Sequence, residues 1–264
     1  FPVERGITRF VAFFDPEVPV AKIGPVRSAR LYFLDFAEEL HALFAHSGGS
    51  PAALLQLRNE SEGLTDLDEI SGSGRYFWRD RAWREPYNLF TSVELLEKAR
   101  MKFAKDAASR MNYEEVSWQW EGAQKSLEMG EFDSVAIDYS TASYEVQYQY
   151  EYIIQKYLRY QGGTLQVSNN GGRIEADNVL IAFMKTSVID KEGRLDVTTV
   201  GDGDAVICIG GLCKEGTWQK KSRESRLRFF ANAKDLVEVK LIPGKTWINI
   251  VPIGRDVKVE KLGN

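Results

Sequence analysis

From Ser134 to the C-terminus, short apolar runs alternate with glycine-rich turn signals, which constrains this half of the chain to β structure. Tyr144, Val146, Tyr148 and Tyr150 alternate with polar residues, the period of a strand buried on one face. Val179 to Val188, Leu195 to Val200, Ala205 to Ile209 and Trp247 to Val251 read as further strands. Gly162-Gly163, Asn169 to Gly172, Gly201-Asp202-Gly203 and Pro243-Gly244 read as the turns between them. A mostly β barrel or sandwich is expected.

The 2 cysteines, Cys208 and Cys213, flank Gly210-Gly211. Glycine tolerates the positive φ of a two-residue hairpin turn. That turn pairs Ile209 with Leu212 and sets Cys208 opposite Cys213. A non-hydrogen-bonded pair brings Cα atoms to roughly 4.5 Å, which is within disulfide range. Two readings stay open: a disulfide, which favours an oxidising compartment, or two small apolar residues on one strand face. Metal binding is not expected, because two cysteines do not complete a tetrahedral zinc shell.

The first half reads differently. Arg9 to Phe14 is an apolar run suited to a buried strand. Arg30 to about Leu43 has helical spacing, and Ala42 to His46 suits a following strand. Ser50-Pro51 opens a second helix, with serine as cap and proline in the first turn. Thr91 to Glu94 forms a capping box for a third helix running to about Met111. The expected fold class is therefore α+β: an N-terminal α/β-type layered domain over residues 1–115, then a smaller mostly β domain over 134–264. Residues 116–133, with Trp118 and Trp120, read as the connection.

Charge narrows the function. With 34 basic against 38 acidic residues, net −4, the chain has no basic stripe to neutralise phosphates, so nucleic acid is not an expected partner. No stretch approaches the roughly 20 apolar residues of a membrane-spanning helix. No signal peptide or lipidation motif occurs in these residues. The chain begins at Phe1 and its first methionine is Met101, so we expect a processed or shortened product whose export signal lay upstream. His41 and His46 are the 2 histidines, which rules out a three-histidine zinc site. The chain also lacks the zincin helix, the Walker loop, the dinucleotide glycine fingerprint and the serine-hydrolase elbow. A distant pair of carboxylates of the glycosidase type stays open. No cofactor or metal is expected.

Two strand-to-helix turns carry the candidate site. Lys22 to Arg30 leads into the first helix, where free N–H groups and a partial positive charge already attract anions. Arg27 and Arg30 beside Ser28 oppose that field unless an anion joins them. His46, Ser47, Gly48, Gly49 and Ser50 form the second turn, whose glycines admit a ligand to the backbone. Adjacent strands would bring both turns to one sheet edge. The competing reading makes Ser28 and Ser50 caps and pairs the arginines with Asp35, Glu38 or Glu39. Trp78, Arg79 and Asn88, within Tyr76–Asp80 and Pro86–Leu89, would line an aromatic groove for a sugar or peptide, or merely anchor a loop. Asp66, Asp68 and Glu69 lack the glycine and distant glutamate of an EF-hand loop. Asp202-Gly203-Asp204 reads as a turn, with calcium as an alternative.

Gly6–Phe10, Lys22–Arg30, His46–Pro51, Phe77–Asp80, Asn88–Ser92, Tyr157–Gly163, Asp190–Arg194, Gly216–Trp218 and Pro243–Trp247 together resemble the YerB-like lipoprotein family, a two-domain family of unknown function. The resemblance implies an extracytoplasmic protein that reaches a membrane only through a lipid anchor these residues do not include. Arg5 stands where the family tends to have glycine, and Tyr87 where it tends to have histidine. No activity comes with the resemblance.

These readings favour a non-enzymatic binding protein for an anionic small molecule or envelope glycan. A hydrolase acting on envelope polymer or phosphoester, with His46 as base and Asp35 or a serine assisting, is the alternative. A protein-partner module working through strand edges is the third.

Overall fold

The computed structural model describes residues 1–59, 63–103, 117–121, 132–232, 234 and 237–262. The chain divides into two compact units. One comprises residues 11–117 and 221–226, the other residues 1–10, 118–220 and 227–264.

The first unit contains, in order, α1 (Leu31–Glu38), β1 (Leu43–His46), α2 (Pro51–Asn59), β2 (Thr65–Asp68), β3 (Trp78–Arg79), β4 (Leu89–Phe90) and α3 (Val93–Phe103). β1 and β2 pair in parallel, and β3 and β4 antiparallel. Leu67, Tyr76, Phe77, Leu89 and Ala99 form a shared core. The first helix stops at Glu38 rather than near Leu43. The His41 and Ala42 amides bond back to Glu38 and Ala37, at 3.0 and 3.2 Å, and His41 turns to φ 45°. Leu43 then enters β1. Its apolar character serves a strand, which spacing alone does not separate from another helical turn. Ser50 caps α2 by accepting from the Ala53 amide at 3.4 Å. The cap of α3 is Ser92, one residue later than expected: its Oγ accepts from the Leu95 amide at 3.2 Å, while the Thr91 hydroxyl donates to the Tyr76 carbonyl. The expected continuation of this helix to Met111 lies outside the described residues, as does most of the 116–133 connection.

Arg9 to Phe14 is not a strand. Phe10, Phe13 and Phe14 are 52%, 48% and 42% exposed. The Arg9 amide bonds to the Phe1 carbonyl in a local turn, and an apolar run without a partner edge gains nothing by extending.

The second unit holds β5 (Phe132–Ile137), β6 (Val146–Glu151), β7 (Lys156–Gln161), β8 (Thr164–Leu165), β9 (Glu175–Ala176), β10 (Asn178–Met184), β11 (Thr186–Val188), β12 (Leu195–Val197), β13 (Gly201–Ile209), β14 (Leu212–Lys220), β15 (Arg228–Phe230), β16 (Thr246–Pro252) and β17 (Val257–Leu262). Among the described residues they form a sheet in the order β17-β5-β6-β7-β8, with β9 also on β7, and a second in the order β15-β14-β13-β10-β16. Val135, Ile137, Val146, Tyr148 and Tyr157 of the first meet Val179, Ile181, Val206 and Val251 of the second in one core. β6 alternates buried and half-buried residues along its length. The run from Val179 to Val188 is interrupted at Lys185, and β11 pairs with β12 as a separate hairpin. Trp118 and Trp120 dock onto this unit: the Trp118 indole donates to the Leu227 carbonyl at 2.9 Å, and Trp120 bridges Leu241.

Gly201-Asp202-Gly203 is not a turn but the start of β13, so the calcium alternative for Asp202 and Asp204 loses its loop. A Cβ on Gly203 would lie 2.8 Å from Trp218 Nε1, which donates to the Phe183 carbonyl at 2.9 Å. Close approach of an indole, not turn geometry, requires the glycine. Gly210 and Gly211, at φ 58° and 85°, turn the hairpin that sets Cys208 opposite Cys213. A disulfide joins the two, with Cα atoms 4.0 Å apart.

Candidate functional site

The two turns read from the sequence lie side by side in the first unit. Residues 27–29 run parallel to the end of β1. The Ser47 amide donates to the Arg27 carbonyl at 3.2 Å, the Ala29 amide to the Gly48 carbonyl at 2.9 Å, and the Ser50 amide to the Ala29 carbonyl at 3.1 Å. Gly48, at φ 59°, lets the chain leave β1 sharply.

His46 is 1% exposed and held from both sides. Its Nδ1 lies 2.8 Å from the Gly48 carbonyl and its Nε2 2.7 Å from Asp66 Oδ1. Burial opposes the charged ring, but the Asp66 hydrogen bond, the Gly48 carbonyl and the charges of Asp66 and Asp68 outweigh it, so the His46 pKa is raised. Both partners are acceptors, which favours the imidazolium with two N–H donors. Asp68 is buried too, yet the Gly48 amide, the Ser71 hydroxyl, the Ile70 amide and His46 hold its pKa below the usual carboxylate value.

The arginines expected to act together are engaged separately. Arg30 is buried and donates to the carbonyls of Ala29 and Ser28 at 2.8 and 3.4 Å. Arg27 donates to the Pro86 carbonyl at 2.9 Å, and its guanidinium carbon stands 4.7 Å from the Tyr87 ring centre. Among the described residues no carboxylate lies within ion-pair reach of Arg27. The acids of α1 and of its C-cap, Glu39, bind cations from residues 223–226. Arg223 binds Asp35 and Glu38, each at 2.8 Å, and Arg226 binds Glu39.

A second chain of contacts continues the Arg27 surface. The Ser47 hydroxyl donates to Glu69 at 2.9 Å, Glu69 receives Arg79 at 3.3 Å, and Arg79 donates to the Asn88 side-chain oxygen at 3.0 Å. Arg27, Ser47, Arg79, Tyr87 and Asn88 therefore belong to one patch. Trp78 instead packs on Phe90, 6.2 Å between ring centres. Beside it Lys22 sits 4.2 Å over Phe90 and 5.5 Å over Trp83 while pairing with Asp80 at 2.5 Å. Ser28, Arg30, His46, Gly48 and Ser50 serve the backbone of the turns. Tyr87 falls within the Pro86–Leu89 stretch that reads as a groove lining or a loop anchor, whereas Glu69 reads only as one of three carboxylates lacking the rest of a calcium loop. Parallel pairing with β1 makes the run Asp66-Leu67-Asp68-Glu69 the partner of His46 and Ser47. No cluster of three metal-ligating side chains occurs among the described residues.

Chemically, the patch offers cationic donors, the Ser47 hydroxyl and the exposed Tyr87 face, a combination suited to an anionic group on a sugar or peptide. With both His46 nitrogens occupied, a general base at that position lacks a free lone pair.

Comparison with known proteins bears on the whole chain. Two models of the DUF3048 proteins of unknown function match it, the N-terminal domain over residues 1–108 and the C-terminal domain over residues 135–248. The protein named "Putative lipoprotein YerB" of Bacillus subtilis (strain 168) is 30% identical over 252 residues, covering 94% of this chain and 72% of that protein. A crystal structure of YerB from Bacillus subtilis superposes with a TM-score of 0.74 at 27% identity, covering 91% of this chain and 78% of that one.

Proposed function

The chain belongs to the DUF3048 family, and from that premise we propose that it is a non-enzymatic binding protein for an anionic cell-envelope ligand. The observation that carries this reading is Arg27. Its guanidinium rests on a 54% exposed tyrosine ring, donates to one carbonyl and has no carboxylate counter-ion among the described residues. A half-exposed cation stacked on an aromatic face keeps its remaining N–H donors in the plane where a carboxylate or phosphate docks. Arg79, braced by the buried Asn88 amide, extends the same surface, and Tyr87 presents a face to a sugar ring. The occupied ring nitrogens of His46 favour binding over hydrolysis. The name of the Bacillus relative supports an extracytoplasmic, lipid-anchored setting.

Thermal unfolding against phosphates, carboxylates and muropeptides tests the reading. A ligand at a hundred times its dissociation constant stabilises by about 2.7 kcal/mol. The wild type is expected to rise by several degrees with one ligand class, and Arg27→Ala to lose that rise while keeping its unliganded Tm. An equal rise in both proteins would remove Arg27 from the site and the reading with it.

A further inference from the structure

We propose that the interior of the second unit binds one small monovalent anion, a halide or a carboxylate group, between Arg159 and Asn249. Arg159 lies on β7 opposite Tyr148 of β6 and is 2% exposed. Its guanidinium carbon sits 5.1 Å from the ring centres of Phe10 and of Trp247, and 6.0 Å from that of Tyr148. NH1 donates to the side-chain oxygens of Gln161, at 3.3 Å, and Gln166. Among the described residues no carboxylate lies within ion-pair reach, and Nε has no hydrogen-bond partner.

Asn249 of β16, 4% exposed, presents the same imbalance. Its Oδ1 accepts from the hydroxyls of Tyr139 and Tyr148, each at 3.2 Å, while Nδ2 has no partner. Tyr148 touches both residues, its hydroxyl donating to Asn249 and its ring lying 6.0 Å from the Arg159 guanidinium carbon, so one tyrosine side chain links the two orphan donors.

The cluster thus carries a surplus of donors and one uncompensated positive charge inside a sandwich core. Aromatic faces offset part of the cost of burying that charge, but a buried cation normally has a counter-charge. A water molecule would satisfy the N–H groups and leave the charge. A monovalent anion does both, and the single guanidinium matches one negative charge. The inference is independent of the Arg27 patch, with which it shares no residue.

The test is thermal unfolding of the full chain in rising sodium bromide, for wild type and Asn249→Asp. The aspartate keeps an acceptor for both tyrosines and supplies the missing charge itself. Wild type is expected to gain several degrees along a saturating curve. Asn249→Asp is expected to start higher in halide-poor buffer and to respond far less. Bromide-soaked wild-type crystals are expected to show an anomalous peak within hydrogen-bond reach of Arg159 Nε and Asn249 Nδ2. Parallel salt curves for the two proteins, or no bromide peak at that place, would overturn the proposal. Should Asn249→Asp not fold, the diffraction result on wild type decides alone.

Discussion

His46 ties the end of β1 to β2 through both ring nitrogens, and this bears on stability as pH changes. Its folded pKa lies above the ordinary 6.5, so its contribution is fully present below 6.5 and is lost as pH rises through the folded value. Asp68 acts in the opposite sense. Its folded pKa lies below 3.8, so its contribution is present above 3.8 and is lost as pH falls through the folded value. Urea unfolding should show His46→Gln well below wild type at pH 5.5, with the gap narrowing as pH rises. A gap of constant size across that range would mean that the ring works through packing alone. His46 itself stood out in the sequence as one of 2 histidines at a strand end. Its partner did not, because Asp66 is 20 positions away and only parallel pairing of β1 with β2 brings it near.

Among elements, the β13–β14 hairpin was the most legible, since a glycine pair, a two-residue turn and strict alternation leave one register. The disulfide within it closes a loop of separation 5. Chain entropy then assigns it only about 2 kcal/mol. Replacing both cysteines by alanine should lower the unfolding free energy measured in urea by roughly that amount, plus a smaller cost for the buried Cys208 side chain, and leave the strand register unchanged. Retained Cys208–Cys213 opposition in the amide exchange pattern would confirm that the turn, not the covalent bond, sets the pairing. The start of β13 was misread for a related reason. Gly203 signals a turn locally, but the Trp218 indole that demands it comes from the neighbouring strand.

For the whole molecule, the grouping of residues 221–226 with 11–117 has a clear electrostatic reason. Asp35 and Glu38 on α1 and Glu39 at its C-cap are all buried, and Arg223 and Arg226 bring them positive charge from 185 to 188 positions away. Burial raises the Glu38 pKa even against the pull of Arg223. Removing one partner of a buried ion pair costs on the order of 3 kcal/mol. Arg226→Met should therefore lower the stability of the first unit by about that much, read by chemical denaturation with a probe in α1. A loss within about 0.5 kcal/mol would place the Arg226–Glu39 pair among the surface-like ones.

What the sequence determined by itself follows short-range physics. Period-2 alternation set the strands of the second half, glycine pairs set hairpins, serine-proline set the start of α2, and the resemblance extended across both halves. The tertiary structure alone decided which side chains meet. It brought Arg30 onto the Ala29 carbonyl, turned Arg27 onto Tyr87, brought Arg223 and Arg226 to Asp35, Glu38 and Glu39, and enclosed Arg159 among aromatic rings. The reason is physical. Hydrogen bonds and ion pairs act over a few ångströms of space, while the residues that make them here stand up to 188 positions apart along the chain.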